Sequence, residues 1–188
     1  NVGTKISGNV MGDGTAAGNI GTRGVLISYS ASSAAQTAAQ ITNNDIQVGD
    51  PGTTGYSATI AGIELGTVNF GTIVTGNKLH DIYQPSTAGY GSIGLYITGA
   101  TSTGNITIAN NFIYRIAASN YSATRTSTFI NHGVLITAGA TNLAFDHNTV
   151  VMNTANATGT LVNPASNALC VTASGTTFSS FRNNILTN

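Results

Sequence analysis

The amino-acid sequence predicts an all-β chain wound into a right-handed, single-stranded parallel β-helix (solenoid) of about five coils, with an asparagine ladder and with long loops on one side. Three observations predict this fold. An asparagine recurs about every 35 residues, a second strand signature recurs between these asparagines, and no segment carries a 3.6-residue apolar stripe across several turns. A fixed period of this length is typical of solenoids, in which each unit stacks on the next.

The first signature is an asparagine column, in which each asparagine follows an apolar residue by three positions and precedes another by two. Its members are Asn9, Asn44, Asn77, Asn111, Asn148 and Asn184, spaced 35, 33, 34, 37 and 36 residues apart. Stacked coils bring such residues to about 4.8 Å from each other, so their amides can hydrogen-bond as a ladder inside a turn. Asparagine also tolerates the left-handed backbone that a sharp corner often requires. The alternative is a set of unrelated surface asparagines.

This ladder makes a prediction about stability. We expect Asn111→Ala to lower the free energy of unfolding by about 1–3 kcal/mol, because it leaves ladder partners unsatisfied in a buried corner. A change of only a few tenths of a kcal/mol, measured by denaturant unfolding, would place the ladder elsewhere.

The second signature is a glycine column: a small residue followed by an apolar, a variable and an apolar position. Four copies begin with glycine, and the fifth has alanine in that place; they are Gly24, Gly62, Gly94, Gly133 and Ala168. Side chains alternate along a strand, so the apolar positions are predicted to point inward. The predicted outward row is Leu26, Glu64, Tyr96, Leu135 and Cys170. The alanine-rich run 32–40 lacks bulky apolar residues and is predicted to be a loop or a single helical turn.

The repeat extends over the whole chain, so residues 1–188 are predicted to form a single β-helix domain with repeats of about 35 residues. Both ends fall inside a repeat, and no atypical capping unit is visible. Solenoids usually require polar caps, because an open coil exposes apolar core and unpaired strand edges. We therefore expect the chain to be a segment of a longer solenoid.

With both columns in place, the sequence resembles right-handed parallel β-helix proteins of the pectate-lyase-like kind. The segments IANNFIYRI (108–116), FDHNTVVMNTANATGT (145–160) and SNALCVTASGTTFSSFRNNILTN (166–188) look like repeat units of large secreted and cell-surface proteins of Bacteroidetes-type bacteria. The resemblance covers the whole chain and concerns the fold, because solenoid repeats specify core and corner residues while function resides in their loops.

The composition excludes several partner classes. Only 6% of the residues are charged, with six acids balancing six bases, so no basic patch supports nucleic-acid binding. No run of 18 apolar residues is present, so no membrane span is predicted. A surface made soluble by Asn, Thr, Ser and Gly is typical of secreted proteins, so the predicted location is extracellular or at the cell surface. The single cysteine, Cys170, rules out a disulfide framework and a cysteine metal site.

Catalytic residues are sparse. The resemblance implies that an enzyme of this fold would use several close carboxylates with a histidine, or an acidic calcium site with a basic residue. The outward row of the glycine column contains one carboxylate, Glu64, whereas glycoside hydrolysis generally requires two. No metal-ligand spacing is present either. The sequence therefore predicts no catalytic residue, no metal and no cofactor.

The remaining charged residues pair between neighbouring units. Asp45 and Lys78 each follow a column asparagine, and Asp146 and Arg182 each precede one by two positions, so two surface salt bridges are predicted. A functional alternative is that Asp146 and His147 form an acid/base pair. The other candidate sites are the pair His80-Asp81, and His132 before Gly133.

Tyrosines provide the candidate ligand surface. Tyr90 and Tyr121 fall in the long loops between the asparagine and glycine columns, and Tyr96 lies beside Glu64 in the adjacent outward row. Aromatic faces stack on sugar rings, so Glu64, Tyr90, Tyr96 and Tyr121 are predicted to contact carbohydrate. The alternative is that these tyrosines only pack the loops against the coils.

Three functions remain open at this point. The leading one is a non-catalytic structural or adhesive β-helix segment of a secreted or cell-surface bacterial protein, with polysaccharide as its predicted partner. The second is a polysaccharide lyase or glycoside hydrolase with its site at Glu64. The third is an extracellular filament subunit that assembles with copies of itself, end to end or laterally.

Overall fold

The computed structural model describes residues 3–13, 20–29, 31, 33–34, 36–49, 57–85, 90–99, 104–118, 130–152 and 166–188. These residues form seventeen β-strands in three parallel sheets and contain no α-helix. Sheet A comprises β1 (Lys5–Ser7), β4 (Gln40–Thr42), β7 (Ile73–Thr75), β10 (Thr107–Ala109), β13 (Leu143–Asp146) and β16 (Phe178–Arg182). Sheet B comprises β2 (Val10–Met11), β5 (Asp45–Val48), β8 (Lys78–Gln84), β11 (Phe112–Ala118), β14 (Thr149–Val151) and β17 (Ile185–Thr187). Sheet C comprises β3 (Arg23–Tyr29), β6 (Ile60–Val68), β9 (Ser92–Ile97), β12 (Asn131–Ile136) and β15 (Ser166–Val171).

The order of the strands confirms the predicted parallel β-helix. The chain passes from sheet A to sheet B to sheet C in every coil, and each strand pairs in parallel with its equivalents in the neighbouring coils. Rows of β-branched and other apolar residues point into the space between the three sheets and form one continuous core. A typical row crosses sheet A as Ile41, Val74, Ile108 and Phe145, and all four side chains are fully buried.

The asparagine ladder is present at the corner between sheets A and B. The side-chain amide of Asn111 donates to Val74 O at 2.9 Å and to Asn148 Oδ1 at 3.0 Å. Its own Oδ1 accepts from the backbone and side-chain nitrogens of Asn77, both at 3.0 Å. The amide thus uses its full capacity of two donated and two accepted bonds. The same side-chain contact links all six members, in the order Asn9, Asn44, Asn77, Asn111, Asn148 and Asn184.

The structure refines one part of this prediction. The left-handed backbone conformation falls on the residue before each ladder asparagine, not on the ladder residue itself. These preceding residues have positive φ and are Gly8, Asn43, Gly76, Asn110, His147 and Asn183. The corner is therefore shared by two adjacent positions: one makes the turn, and the next contributes the buried amide.

The glycine column is explained by close packing inside sheet C. A Cβ atom at Gly94 would lie 2.5 Å from Gly133 O in the next strand and 2.5 Å from Ile113 Cγ2 of sheet B. The same double obstruction, by the next carbonyl and by a sheet B side chain, occurs at Gly24, Gly62 and Gly133. Ala168 holds the equivalent place on β15, the last strand of sheet C among the described residues.

The alanine-rich run contains a turn rather than a helix in its described residues, with Gln36 N donating to Ser33 O at 3.2 Å. The four longest connections run from sheet B to sheet C, through residues 12–22, 49–59, 119–130 and 152–165, whereas the fifth connection between these sheets, 85–91, is shorter. No helix in the described part of the chain is long and apolar enough to cross a membrane.

Candidate functional site

The predicted outward row of sheet C is in register but supplies a single carboxylate. Glu64 pairs across the strands with Leu26 and Tyr96. Its carboxylate accepts a hydrogen bond from Arg23 Nε, and the Arg23 guanidinium also donates to Thr22 O at 2.7 Å. Glu64 is therefore held in an ion pair that ties β3 to β6, and cleavage by a pair of acids would require a second carboxylate from outside this row.

The tyrosines of the predicted ligand surface are only partly defined. Tyr90 and Tyr96 are half-buried, and Tyr121 lies outside the described residues. Tyr96 packs with Cys170 against a second apolar cluster formed by Ala61, Ile93 and Leu135. Leu135 belongs to the outward row, yet its exposure is 0%. The described part of sheet C therefore has a covered, apolar outer face at Leu135.

Cys170 lies at the edge of this apolar cluster. Burial raises the pKa of its thiol, because the surroundings disfavour the thiolate. A nucleophilic cysteine requires the opposite, a lowered pKa, so Cys170 has the properties of a passive thiol.

A different surface, on the outer face of sheet B, contains the densest group of ionisable side chains among the described residues. We call it the sheet B patch, and it consists of Asp45, Lys78, His80, Asp81, Phe112, Tyr114 and Arg115. The chain has six acidic and six basic residues, and two of each lie in this patch. In so charge-poor a chain, this concentration requires a specific explanation.

The patch is built around a β-bulge in two neighbouring strands. In β5 the inward residues Ile46 and Val48 are two positions apart, whereas the matching residues Leu79 and Ile82 of β8 are three apart. Strand β11 repeats the longer spacing, so the extra residues of β8 and β11 are Asp81 and Arg115. Their φ angles are 51° and 52°, in the left-handed region that non-glycine residues rarely adopt. The bulge lets His80 and Asp81, consecutive in the chain, hydrogen-bond to each other outside the sheet.

Hydrogen bonds connect the charged groups across three coils. His80 lies between two carboxylates, with Nε2 at 2.6 Å from Asp45 Oδ1 and Nδ1 at 2.5 Å from Asp81 Oδ2. Lys78 Nζ donates to Asp45 Oδ2 at 3.1 Å, and the Arg115 guanidinium donates to Asp81. The predicted Asp45–Lys78 salt bridge is thus confirmed as one link of a longer chain of alternating acid and base.

Aromatic rings form the other half of the patch. The His80 and Tyr114 rings stack with centroids 4.9 Å apart, and the Tyr114 and Phe112 rings stack at 4.4 Å. The Arg115 guanidinium carbon lies 5.1 Å from the Tyr114 ring centre, within cation–π range. His80 is buried beneath these groups, whereas Phe112 is 43% exposed.

Charged neighbours in the sheet B patch shift the pKa values of Asp45 and Lys78. Burial of the Asp45 carboxyl opposes ionisation, but hydrogen bonds and charge from His80 and Lys78 outweigh it, so the pKa of Asp45 lies below its usual value. Hydrogen bonds to Asp45 and Tyr114 raise the pKa of Lys78. Asp45 is thus an ionised partner of two bases, whereas the general acid of a glycosidase requires a raised pKa.

The other sequence candidates do not converge. Asp146 accepts hydrogen bonds from Ser180 Oγ at 2.7 Å and from Arg182, whose Nη2 lies 3.4 Å away, which confirms the predicted Asp146–Arg182 pair. His147 is exposed at its left-handed corner. His132 is fully buried, with Nδ1 at 3.3 Å from Asn167 Nδ2. Among the described residues, no group of three His, Cys, Asp or Glu side chains is arranged to hold a metal ion.

Asp146 makes the acid stability of the fold testable. The Ser180 hydrogen bond and the Arg182 charge lower the pKa of Asp146 against the opposing effect of burial. A carboxyl whose folded pKa is depressed contributes stability above its unfolded pKa of about 3.9, and the contribution disappears as the pH falls through the folded pKa. Asp146→Asn should therefore be less stable than the parent chain at pH 7, and this deficit should shrink as the pH falls below about 3.9, as measured by urea unfolding. A deficit of the same size at pH 7 and below about pH 3.9 would contradict this assignment.

In comparisons with known proteins, no family model matches this chain, and no curated protein or solved structure matches it either. What stands of the resemblance is therefore the parallel β-solenoid fold itself.

The sequence contained a signal for the sheet B patch that the column comparison missed. After Asn44 and Asn148 the apolar residues fall at the second and fourth positions, but after Asn77 and Asn111 they fall at the second and fifth. The extra position holds Asp81 in one unit and Arg115 in the next. One extra residue between the two apolar positions of a strand indicates a β-bulge, and here the two extra residues carry opposite charges in adjacent coils.

Proposed function

We propose that this chain is a rigid, non-catalytic spacer segment of a secreted or cell-surface protein of the pectate-lyase-like β-helix kind. The observation that carries the proposal is the unbroken asparagine ladder, which links every coil to the next with the same side-chain contact and is buried in the central coils. The parallel pairing of strands in neighbouring coils and the continuous apolar core support the proposal further, because the stiffness of a solenoid depends on contacts between nearest neighbours. Eight of the twelve charged residues form ion pairs between neighbouring coils, which suits a structural role.

Rigidity can be measured directly by single-molecule energy transfer. In a Cys170→Ser background, dyes attached through Lys5→Cys and Thr187→Cys would report the distance between the first and last described coils. Five steps of about 4.8 Å plus the width of the core predict a single narrow distance of roughly 25–30 Å. A glycine–serine chain of equal length is the control, and it should give a broad distribution. A broad distribution from the solenoid would refute the spacer function.

A second candidate, polysaccharide cleavage, is favoured by one observation: the Asp45 and Asp81 carboxylates converge on opposite nitrogens of His80. The test is incubation of the chain with neutral and acidic polysaccharides, followed by measurement of new reducing ends and unsaturated products. We expect no product. Product that disappears in Asp45→Asn would replace the spacer proposal with an enzymatic one.

The filament alternative rests on apolar residues that continue the inward rows and are exposed at the last described coil, such as Val171, Phe181 and Leu186 on β15, β16 and β17. Such residues are exposed where a coil has no neighbour, and further coils of the same or another chain would cover them. Electron microscopy of the purified chain decides the matter, since filaments would support self-assembly and monomers would count against it.

A further inference from the structure

One exposed aromatic residue is not explained by the solenoid architecture. Eight large apolar side chains of the described residues are exposed, and seven of them lie on the first or last strand of a sheet. Four of these seven continue inward rows that are buried in the preceding coil, so their exposure follows from the missing neighbouring coil; they are Val171, Phe178, Phe181 and Leu186. The other three, Val10, Leu26 and Ile185, face outward on end strands. Phe112 is the exception, because it lies on β11 in the middle of sheet B, between β8 and β14. A phenylalanine kept exposed there faces the solvent from a fully formed sheet.

The backbone beside Phe112 is also held in an unfavourable conformation. Asp81 and Arg115 occupy the left-handed region, where a side chain costs about 1–2 kcal/mol per residue and where glycine would be free of that penalty. Left-handed corner positions elsewhere in this chain are filled mostly by glycine and asparagine. Strain of this kind is characteristic of functional sites, since a purely structural bulge would accept glycine.

The polar groups around Phe112 offer donors and acceptors in alternation. Lys78 is directly opposite Phe112 in the neighbouring strand, and its side chain is 45% exposed. Arg115 is 39% exposed, and its Nε is a buried donor without a hydrogen-bond partner. The side chains of Asp45 and Asp81 remain about one-third exposed, and their carboxylate oxygens can accept further hydrogen bonds.

These features fit a sugar ring better than the other ligand classes. The C–H face of a pyranose packs on a flat aromatic ring, and its hydroxyls both donate and accept hydrogen bonds. The two cations of the patch are matched by two carboxylates, so the patch offers no net positive charge to attract an anion. One exposed ring is also too small for a stable protein interface, which typically buries more than about 1,000 Å².

We propose that the sheet B patch is a binding site for a neutral polysaccharide, with one sugar ring stacked on Phe112 and its hydroxyls bonded to Lys78 and Arg115. The site lies on sheet B and is separate from the sheet C surface of Glu64 and Tyr96 that the sequence indicated. This proposal adds a ligand to the spacer function but does not depend on it. The binding experiment can succeed or fail whether the chain is rigid or flexible.

The experiment is titration of the ¹⁵N-labelled chain with neutral hexasaccharides, namely those of β-1,4-glucose, β-1,3-glucose, β-1,4-mannose and β-1,4-xylose. At least one should bind with a Kd of about 0.1–1 mM, as expected for a small contact area, and should shift amide signals in residues 78–84 and 112–116. Hexagalacturonate, the acidic comparison, should bind at least about fivefold more weakly, because a patch without net positive charge does not repay the desolvation of its carboxylates.

Two variants and a matched control assign the binding to the patch. Phe112→Ala and Arg115→Gly should each weaken it by about tenfold or more, and glycine at 115 keeps the bulge without its strain. Phe178→Ala removes another exposed aromatic, at the last coil of sheet A, and should leave the Kd within about twofold. The proposal is overturned by the absence of binding to all four neutral sugars, by unchanged binding in Phe112→Ala, by tighter binding of hexagalacturonate, or by shifts that centre on Glu64 and Tyr96.

Discussion

Asn111→Ala is expected to lower the free energy of unfolding by about 3 kcal/mol, the upper end of the range predicted from the sequence. Asn111 is only 2% exposed, so water cannot replace the lost contacts. The substitution removes the hydrogen-bond partner of Val74 O, and it also removes the acceptor of both the backbone and the side-chain nitrogen of Asn77. Denaturant unfolding followed by far-ultraviolet circular dichroism measures the change.

The matched control is Asn9→Ala, at the exposed end of the same ladder. Asn9 donates to Asn44 Oδ1 and to Ser7 O at 3.2 Å, and the groups it leaves behind are partly open to water. We expect a loss below about 1 kcal/mol. Equal losses in the two variants would mean that burial of the ladder contributes nothing, contrary to the hydrogen-bond argument.

Gly94→Ala is expected to destabilise the chain by about 3 kcal/mol or more, because both atoms that obstruct the new methyl group are fixed. Gly133 O belongs to the sheet C backbone, and Ile113 is a fully buried core residue. To admit the methyl group, sheets B and C must separate locally, and the neighbouring coils must follow. The measurement is again the free energy of unfolding, combined with the thermal midpoint.

Gly139→Ala provides the control for this substitution. A Cβ atom at Gly139 would lie 3.6 Å from Gly175 Cα, an ordinary van der Waals contact, and the backbone there is not left-handed. Alanine should therefore be neutral or slightly stabilising, because it reduces the freedom of the unfolded chain. If Gly94→Ala behaved like Gly139→Ala, steric exclusion could not be the reason for the glycine column.

The fold was predictable from the sequence because its determinants repeat at one spacing. A residue such as Ile108 has the same role as Val74 and Phe145, so the pattern is visible without any knowledge of contacts. The same holds for the Asp45–Lys78 and Asp146–Arg182 pairs, since equivalent positions in neighbouring coils are adjacent in space. Periodicity converts distances along the chain into neighbours across the sheet.

The candidate site was less predictable, because it depends on a departure from the repeat. Comparing equivalent positions of the repeats pointed to Glu64 and to the tyrosines on or near sheet C. The role of these residues in carbohydrate binding stays a prediction. That comparison treated His80 and Asp81 only as neighbours in the chain, because their partner Arg115 lies 34 residues from Asp81. Residues of a bulge occupy positions that the repeat does not contain, so matching columns does not align them.

By itself, the sequence determined the parallel solenoid, its period, the asparagine ladder and the inward rows, because each of these is a local pattern repeated in every coil. Only the tertiary structure decided which side chains around the two bulges share a surface. The bulges at Asp81 and Arg115 bring His80, two carboxylates and an exposed Phe112 together on sheet B. The physical reason is that one extra residue in a strand changes the direction of the side chains around it, and its effect depends on the neighbouring coils.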